Sequence, residues 1–277
     1  MTGRSLWNIA SMSRRVGGIL AITFLLLSTN LFSQPKKIKT LGLSDTIAYA
    51  YVDRPGDIYA ITLSGQLQRF DKDGRLSNLY RKGPSLSLFD PRDGARLFAY
   101  YRDKAQYDFL SPSFDVVSSY KIDSAFALNP WLVCASGDHN VWVLDASDWS
   151  LKKIDMRTGT TPVEVNLTFP AGKNKADITS MREYQNFVFI LDKKEGILIF
   201  SSMGKLLKTI PAHNLRYFNF IGEELYYLAG DKLKFMDLFT TETREMNLPT
   251  KAEIALLTDE RLFVIRKNVI DIYEQKP

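Results

Sequence analysis

The stretch DIYAITLSGQLQRFDKDGRL, residues 57–76, contains three short runs in which apolar residues alternate with small or polar ones. A Ser-Gly pair separates the first two runs, and Asp-Lys-Asp-Gly separates the second run from the third. Alternation with a period of two is typical of β-strands, and Gly combined with Asp or Ser is typical of tight turns. The stretch therefore predicts three antiparallel strands joined by two hairpins.

The same pattern recurs along the chain. Runs that resemble DIYAITL begin at Asp57, Arg96, Trp131, Phe187, Glu224 and Arg261, at intervals of 39, 35, 56, 37 and 37 residues. Each run has a strand-like segment ahead of it and a polar turn with another alternating run behind it, and most are followed by a short last strand. Four strands at this spacing are the signature of a β-propeller blade. The sequence predicts an all-β, six-bladed β-propeller; a β-sandwich is the alternative, but sandwiches seldom repeat strand, turn and spacing six times.

Two irregularities in the repeat have simple interpretations. The last repeat ends after three strands, and the strand-like segment KKIKTLGL (36–43) belongs to no blade. Both follow if this N-terminal segment closes the ring as the outermost strand of blade six, because closure removes exposed sheet edges. The interval of 56 residues predicts an insertion at about 157–177, in a blade whose first two strands are assigned as SAFALNP (124–130) and WLVCASG (131–137).

Two blades carry a family resemblance. DIYAITLSGQLQRFDKDGRLSNLY and NFVFILDKKEGILIFSSMGKLLKTI resemble blades of the bacterial six-bladed propellers of the NHL and 6-blade type. The chain is also similar to the envelope propellers that serve outer-membrane assembly, although those resemble lipoproteins with an acylated cysteine. The resemblance covers the mature chain at the level of pattern. It implies an architecture and a capacity to bind partners, but no single activity, because propellers carry many unrelated functions.

Residues 1–33 have the order of a secretory signal peptide. A basic region without acids precedes an uncharged run at 16–27, and small or polar residues then lead to LFSQ; the basic residues are Arg4, Arg14 and Arg15. Met12 is a second candidate start. The alternative is an uncleaved anchor, but 16–32 is at the lower limit of the roughly 17–25 residues that a spanning helix needs. The sequence predicts a single mature propeller, 34–277, in the periplasm or outside the cell, with no transmembrane anchor and, since no cysteine lies near the cleavage site, no lipid anchor.

Removal of the signal changes the charge balance. The whole chain has 36 basic and 31 acidic residues, and the mature chain has 33 basic residues against the same 31. A nearly neutral exported domain is not expected to bind nucleic acid. Cys134 is the single cysteine, so no internal disulfide forms, and its apolar surroundings in WLVCAS predict a buried thiol in the second strand of blade three.

No local motif assigns a catalytic, cofactor-binding or metal-binding residue. DKDG at 71–74 begins like a calcium loop, but Lys82 stands at the twelfth position, so we interpret it as a turn. The two histidines, His139 and His213, lie in predicted loops and are accompanied by neither H-E-x-x-H nor G-x-S-x-G. Two hypotheses remain. One is a non-enzymatic scaffold, without a cofactor, for a protein partner in the cell envelope; the other is a hydrolase or lactonase with a metal held by carboxylates in the central channel.

The predicted loops fall on two faces. The upper face carries the loops that join strand two to strand three and strand four to the next blade, and the lower face carries the other two kinds. With the strands assigned as above, the upper turns hold seven basic and five acidic residues, Asp138 among the latter, and the lower turns hold five basic and nine acidic residues. Tyrosines beside basic residues at 98–109 are typical of an interface or of a carbohydrate-contacting surface. The sequence predicts that the partner meets the upper face through the segment 157–177 and the residues Arg102, Lys104, Tyr101, Tyr107, Lys193, Lys194, Arg157, Lys173 and Lys175.

Overall fold

The chain forms six antiparallel sheets of four strands each, and each sheet is one blade of a propeller. The computed structural model describes residues 35–80 and 85–275. The prediction of an all-β, six-bladed β-propeller is confirmed. The predicted signal peptide, 1–33, lies outside the described residues, and so does the candidate start at Met12.

The strand bounds show how the blades follow one another. The N-terminal strand is β1 (Lys37–Gly42). Blade 1 contains β2 (Ile47–Val52), β3 (Ile58–Thr62), β4 (Leu67–Phe70) and β5 (Leu76–Tyr80). Blade 2 contains β6 (Leu88–Asp90), β7 (Leu97–Tyr101), β8 (Gln106–Leu110) and β9 (Val116–Lys121). Blade 3 contains β10 (Pro130–Ala135), β11 (Val141–Asp145), β12 (Ser150–Asp155) and β13 (Thr160–Asn166).

The second half of the chain repeats the arrangement. Blade 4 contains β14 (Ile178–Tyr184), β15 (Phe187–Asp192), β16 (Gly196–Ser201) and β17 (Leu206–Pro211). Blade 5 contains β18 (Phe218–Ile221), β19 (Glu224–Ala229), β20 (Lys232–Asp237) and β21 (Thr243–Asn247). Blade 6 contains β22 (Ile254–Leu257), β23 (Arg261–Arg266) and β24 (Val269–Glu274) together with β1. Two 3₁₀ helices, Arg102–Lys104 and Lys175–Asp177, lie in connections, and no helix in the described parts of the chain is long and apolar enough to cross a membrane.

The first strands of the blades surround the central channel, since β10 contacts β14 and β2 contacts β22. Each blade is sandwiched between two others, so its second strand is buried on both sides. All residues of β3, β7 and β11 are buried, whereas the outer strands β5 and β9 contain no buried residue. This burial explains why the second strands have nearly continuous apolar sequences.

The ring is closed by β1, which pairs with β24 as the outermost strand of blade 6. Lys37 lies opposite Tyr273, and Gly42 lies opposite Val269. The fully buried carboxylate of Asp271 on β24 accepts hydrogen bonds from Thr40 Oγ1 at 2.6 Å and Lys37 Nζ at 2.8 Å. The predicted closure is therefore present and is fixed by side chains as well as by the backbone.

Blade 3 differs from the prediction. WLVCAS lies in the first strand, β10, rather than the second, and SAFALNP lies in the connection that precedes it, apart from Pro130. The predicted insertion, 157–177, contains the outer strand β13, and only 167–177 connects blade 3 to blade 4. The second strands accordingly begin at Ile58, Leu97, Val141, Phe187, Glu224 and Arg261, which are more evenly spaced than predicted.

Side-chain hydrogen bonds and a proline account for this difference. The backbone of SAFALNP is held by carboxylates, because Asp145 accepts hydrogen bonds from the amides of Leu128 and Asn129, each at 3.0 Å. In β13, Pro162 has no N–H to donate, and the pairing register with β12 shifts between Val163 and Thr160. Proline is tolerated on an edge strand such as this one.

The turns between the third and fourth strands share one construction. Asp71 accepts hydrogen bonds from the amides of Asp73 and Arg75, at 3.0 and 2.8 Å, so DKDG forms the turn that we inferred. Asp155 and Asp237 close the equivalent turns of blades 3 and 5 in the same way. Aspartate favours such turns because its side chain satisfies backbone donors two to four residues ahead. These turns lie on the lower face.

Candidate functional site: a cleft between blades 2 and 3

The residues predicted to bind a partner do not form one surface. Lys104, Lys175, Lys193 and Lys194 are exposed on the upper face. Arg157 lies in the turn between β12 and β13, on the lower face, and Asp138 is also on the lower face because its turn joins the first two strands of blade 3. Their assignment to the upper face was wrong, since it depended on the strand order of blade 3.

The two tyrosines of the predicted surface are buried. Tyr101 is 5% exposed and Tyr107 is 3% exposed. Both are on strands of blade 2, where one side faces blade 1 and the other faces blade 3. Burial raises the pKa of both phenols. Tyr101 therefore contributes to the core, and Tyr107 lies at the base of the cleft described below.

Three basic residues of the set have structural contacts on the upper face. Lys173 forms a buried ion pair with Asp192, which fastens the connection 167–177 to the turn after β15. The guanidinium of Arg102 lies 3.4 Å from the ring of Trp131 and donates a hydrogen bond to the Trp131 carbonyl at 2.7 Å. Lys194 pairs with Asp177 at 2.9 Å. Much of the predicted upper-face charge is thus satisfied within the protein.

A cavity of about 870 Å³ opens on the lower face, between blades 2 and 3. We call it the blade 2–3 cleft. The turns 91–96 of blade 2 and 136–140 of blade 3 border it, and Arg54 and the turn 184–186 of blade 4 complete its rim. Its volume is within the range of roughly 300–1,000 Å³ that is usual for ligand sites.

One wall of the cleft is aromatic. Phe98, Tyr107 and Tyr120 form a stack across three strands of blade 2, with ring centroids 5.3 and 5.2 Å apart. Phe109 meets all three rings edge-on. The inner rings are buried, whereas Tyr120 is 40% exposed. Aromatic rings in this arrangement present a large, rigid contact area.

The blade 3 side of the cleft includes three small residues as well as His139 and Met156. Ala135, Ser136 and Gly137 follow one another where β10 ends. Glu183 on blade 4 fixes this segment, because its carboxylate accepts hydrogen bonds from Gly137 N at 2.9 Å and Ser136 Oγ at 2.6 Å. The same carboxylate accepts the indole N–H of Trp142 at 2.5 Å. The wall is therefore held in place, and these neutral donors occupy the oxygens of Glu183 without neutralising its charge.

The inner end of the cleft is rich in arginine. Arg92 and Arg182 both approach the carboxylate of Asp90 to 3.2 Å. Burial alone would raise the pKa of Asp90, but the two guanidinium groups outweigh it and hold the pKa of this carboxyl below its usual value. Arg54 and Arg96 are exposed, and no carboxylate of the described residues lies within 4 Å of either guanidinium. The charged groups at this end without an ion-pair partner within 4 Å in the described structure are therefore the basic Arg54 and Arg96 and the acidic Asp93.

Arg96 has a fixed orientation. Its guanidinium carbon lies 3.5 Å from the centroid of the Phe109 ring. Stacking on an aromatic ring holds the guanidinium plane and leaves the N–H groups at its edge free to donate. Such a group can bind a carboxylate through two parallel hydrogen bonds.

A small cavity lies beside the central channel, next to the cleft. Tyr51, Tyr217 and the Asp90–Arg182 pair line a space of only about 20 Å³. Within residues 35–80 and 85–275, no group of three or more His, Cys, Asp or Glu side chains could hold a metal ion. The carboxylate of Asp90 is directed at two arginines. A channel metal would have to displace them.

The sequence placed Arg54, Arg92 and Arg96 on the lower face but did not single them out. The turns 91–96 and 136–140 share a face only when WLVCAS is the first strand of its blade. The available signal was the turn sequence after NVWVLD, because Asp145 closes the turn that follows strand two. This turn assigns NVWVLD to strand two and WLVCAS to strand one. With that assignment, the two walls of the cleft are predicted on the same face.

Comparisons with known proteins show the fold. No family model matches the sequence, and no curated protein matches it at a significant level. The β-propeller domain of Cps50 (Swd1) from Myceliophteria thermophila is similar in structure with a TM-score of 0.58 at 11% identity, over 87% of this chain and 100% of that one. The Pan2 WD40 domain of Neurospora crassa has a TM-score of 0.53 at 10% identity, over 83% and 81%. A catalytically inactive virginiamycin B lyase from Staphylococcus aureus, solved with quinupristin, has a TM-score of 0.50 at 10% identity, over 82% and 80%. The chain thus shares the β-propeller fold with WD40 domains and with a lyase.

Proposed function

We propose that this propeller is an exported, non-enzymatic binding module, a scaffold of the cell envelope that holds a protein partner at the blade 2–3 cleft. One observation carries the proposal. Arg54 and Arg96, which have no acidic partner within 4 Å in the described structure, lie at the end of an open aromatic wall. Arginine and exposed aromatic side chains are the residues that most often anchor protein interfaces.

The charges of the cleft favour an acidic partner. The carboxylates of Asp90 and Glu183 are already bound by arginine, indole and backbone donors. Guanidinium groups at the rim attract acidic surfaces and reject basic ones. A stable interface buries about 800 Å² of surface on each partner. Contacts inside the cleft alone would not bury that much surface. The partner therefore also covers the turns around the cleft.

The proposed export rests on the sequence of residues 1–33. The expected result of purifying the protein from its own cell envelope is a mature N-terminus at Gln34, identified by mass spectrometry of the intact chain. Recovery of the chain in the membrane fraction with residues 1–33 still attached would support the uncleaved anchor instead. Recovery with these residues attached in the cytoplasmic fraction would contradict export.

The binding role is tested by crosslinking capture in the native envelope. The variant Arg54→Glu/Arg96→Glu reverses the charges of the cleft, and the matched variant Lys104→Glu/Lys193→Glu reverses two exposed charges on the upper face. We expect the first variant to lose the captured partner and the second to retain it. The opposite result would place the partner on the upper face, as the sequence predicted. Capture that neither variant changes would overturn both placements.

The alternative from the sequence was a hydrolase or lactonase with a metal in the channel. It requires channel carboxylates that are free to bind a cation. Asp90 at the channel is instead held by Arg92 and Arg182. No feature of the described site favours the alternative.

A further inference from the structure

The blade 2–3 cleft combines two features that a ligand must match at once. Its inner end offers the donors of Arg96, which is stacked on Phe109 at 3.5 Å and so presents only its edge. Arg54, on the neighbouring blade, contributes a second exposed guanidinium at the same rim. Two such groups favour a ligand with more than one carboxylate, because guanidinium and carboxylate match in both charge and geometry.

The aromatic wall favours a ligand that has an apolar, planar group beside those carboxylates. Tyr120 is the exposed end of the stack with Tyr107. On the blade 3 side, Ala135, Ser136 and Gly137 have short or absent side chains, and His139 and Met156 also line the cleft. The volume of about 870 Å³ leaves room for a ring between the two blades. Ring-on-ring contacts stabilise a complex beyond the effect of the area that they bury.

We infer that the cleft binds an extended acidic peptide segment in which an aromatic residue lies between carboxylates. The aromatic side chain packs on the aromatic wall of blade 2, and the flanking carboxylates pair with Arg54 and Arg96. The inference rests on the proposed function and names the chemistry of the partner at that site. Carboxylates are required by the charge of the rim, and the ring is required by the wall.

The test uses the mature protein and synthetic peptides with an N-terminal fluorescein. The probe is Ser-Gly-Asp-Phe-Asp-Gly-Ser, and binding is followed by fluorescence anisotropy. Two further peptides replace either both aspartates with asparagine or the phenylalanine with alanine. We expect the probe to bind, and we expect each replacement to weaken binding at least about tenfold. Raising the salt concentration weakens binding of the probe more than binding of the asparagine peptide, since only the probe carries the two aspartate charges.

The protein variants locate the binding. Arg96→Glu removes the stacked donor, and Tyr120→Ala removes the exposed end of the aromatic wall. Each change is expected to weaken binding of the probe at least about fivefold. Arg75→Glu is the matched control, because Arg75 is also exposed on the lower face but lies outside the cleft. Thermal melts of all variants show that they are folded. If the probe does not bind, or binds equally to the Arg96→Glu variant, the inference is wrong.

The outcome for the peptide is separable from the outcome for the proposed function. If capture in the envelope depends on Arg54 and Arg96 but no acidic aromatic peptide binds, the scaffold role holds and the peptide class is wrong. If polygalacturonate binds and the peptides do not, the cleft binds a polyanionic carbohydrate, and the inference is wrong. Loss of both capture and peptide binding in the wild-type protein would contradict both.

Discussion

Arg182 of blade 4 reaches Asp90 of blade 2 beside the central channel, with Nη2 3.2 Å from Oδ1. The same guanidinium donates a hydrogen bond to Asn219 of blade 5, so one side chain connects three blades. Asp90 is 8% exposed, and Arg92 approaches its other oxygen to 3.2 Å. Removing one partner of a buried pair leaves the other charge uncompensated.

We therefore expect Arg182→Gln and Asp90→Asn each to lower the free energy of unfolding by about 3–5 kcal/mol. The double variant should lose less than the sum of the single variants, by about 0.5–3 kcal/mol, because the second change removes the charge that the first leaves unpaired. Urea denaturation of the four proteins measures this coupling. Strictly additive losses would show that the two side chains do not interact.

The pH dependence of stability tests the same pair. The pKa of Asp90 is lowered in the folded protein, since the two arginines outweigh the effect of burial. The stability from this carboxylate is therefore fully present above the pKa of the unfolded chain, about 3.9, and is lost as the pH falls through the lower folded value. We expect the difference in urea midpoint between wild type and Asp90→Asn to be largest at pH 7 and to shrink below about pH 4. A difference that is constant down to pH 3 would contradict this assignment.

Closure of the ring depends on Asp271, whose carboxylate joins β24 to Thr40 and Lys37 of β1. Its pKa is held below the usual value, because bonds from Lys37 and Thr40 and the charge of Arg266 outweigh the effect of burial. We expect Asp271→Ala to increase hydrogen exchange in residues 37–42 at least about tenfold, since β1 pairs with no other strand of the described structure. Glu274→Ala on the same strand is the control, because Glu274 is exposed. Equal exchange in both variants would show that backbone pairing alone holds β1.

The blades were predictable where alternation and turn residues agree. In blade 1, the three runs at 57–76 became β3, β4 and β5 as expected. Blade 3 was assigned one strand out of phase because SAFALNP alternates like a strand, while its backbone is held by the carboxylate of Asp145, a residue far along the chain. A contact between distant residues cannot be read from local periodicity.

The candidate site was harder to predict. A count of charged residues in the predicted loops does not show which of them are paired within the folded protein. The lower face appeared acidic, but several of its carboxylates serve the fold. Asp53 accepts hydrogen bonds from two backbone amides and from Tyr59 Oη. Asp90 and Glu183 are bound in the same manner. Four arginines and three acidic residues line the cleft, and of the arginines Arg54 and Arg96 have no ion-pair partner in the described structure.

Gly196 begins β16 at a φ of +110°, a conformation that other residues rarely adopt. An added Cβ would overlap the carbonyl oxygen of Ile210 and lie 2.6 Å from the nitrogen of Ala212. We expect Gly196→Ala to cost more than the roughly 1–3 kcal/mol of backbone strain, because the β17 backbone must also move. Gly230→Ala is the control, since Gly230 has a φ of +67° and open space around it. Equal losses of thermal stability would show that strain alone accounts for the effect.

Cys134 lies on β10 with 1% of its surface exposed, among the apolar side chains between blades 2, 3 and 4. Burial raises the pKa of the thiol far above its usual value, and the nearby carboxylate of Glu183 adds to this effect. Because the thiolate is the reactive form, the native protein should react with a thiol reagent only through opening of the structure.

With dithionitrobenzoate, we therefore expect no more than slow labelling of the native protein and rapid release of one equivalent of thionitrobenzoate in 8 M urea. The chain has one cysteine, so the signal reports this position alone. The Asp90→Asn variant should label faster than wild type, in proportion to its lower stability, if the reaction proceeds through unfolding. Native labelling at a rate close to that in urea would show that the first strand of blade 3 is accessible and would contradict its place beside the channel.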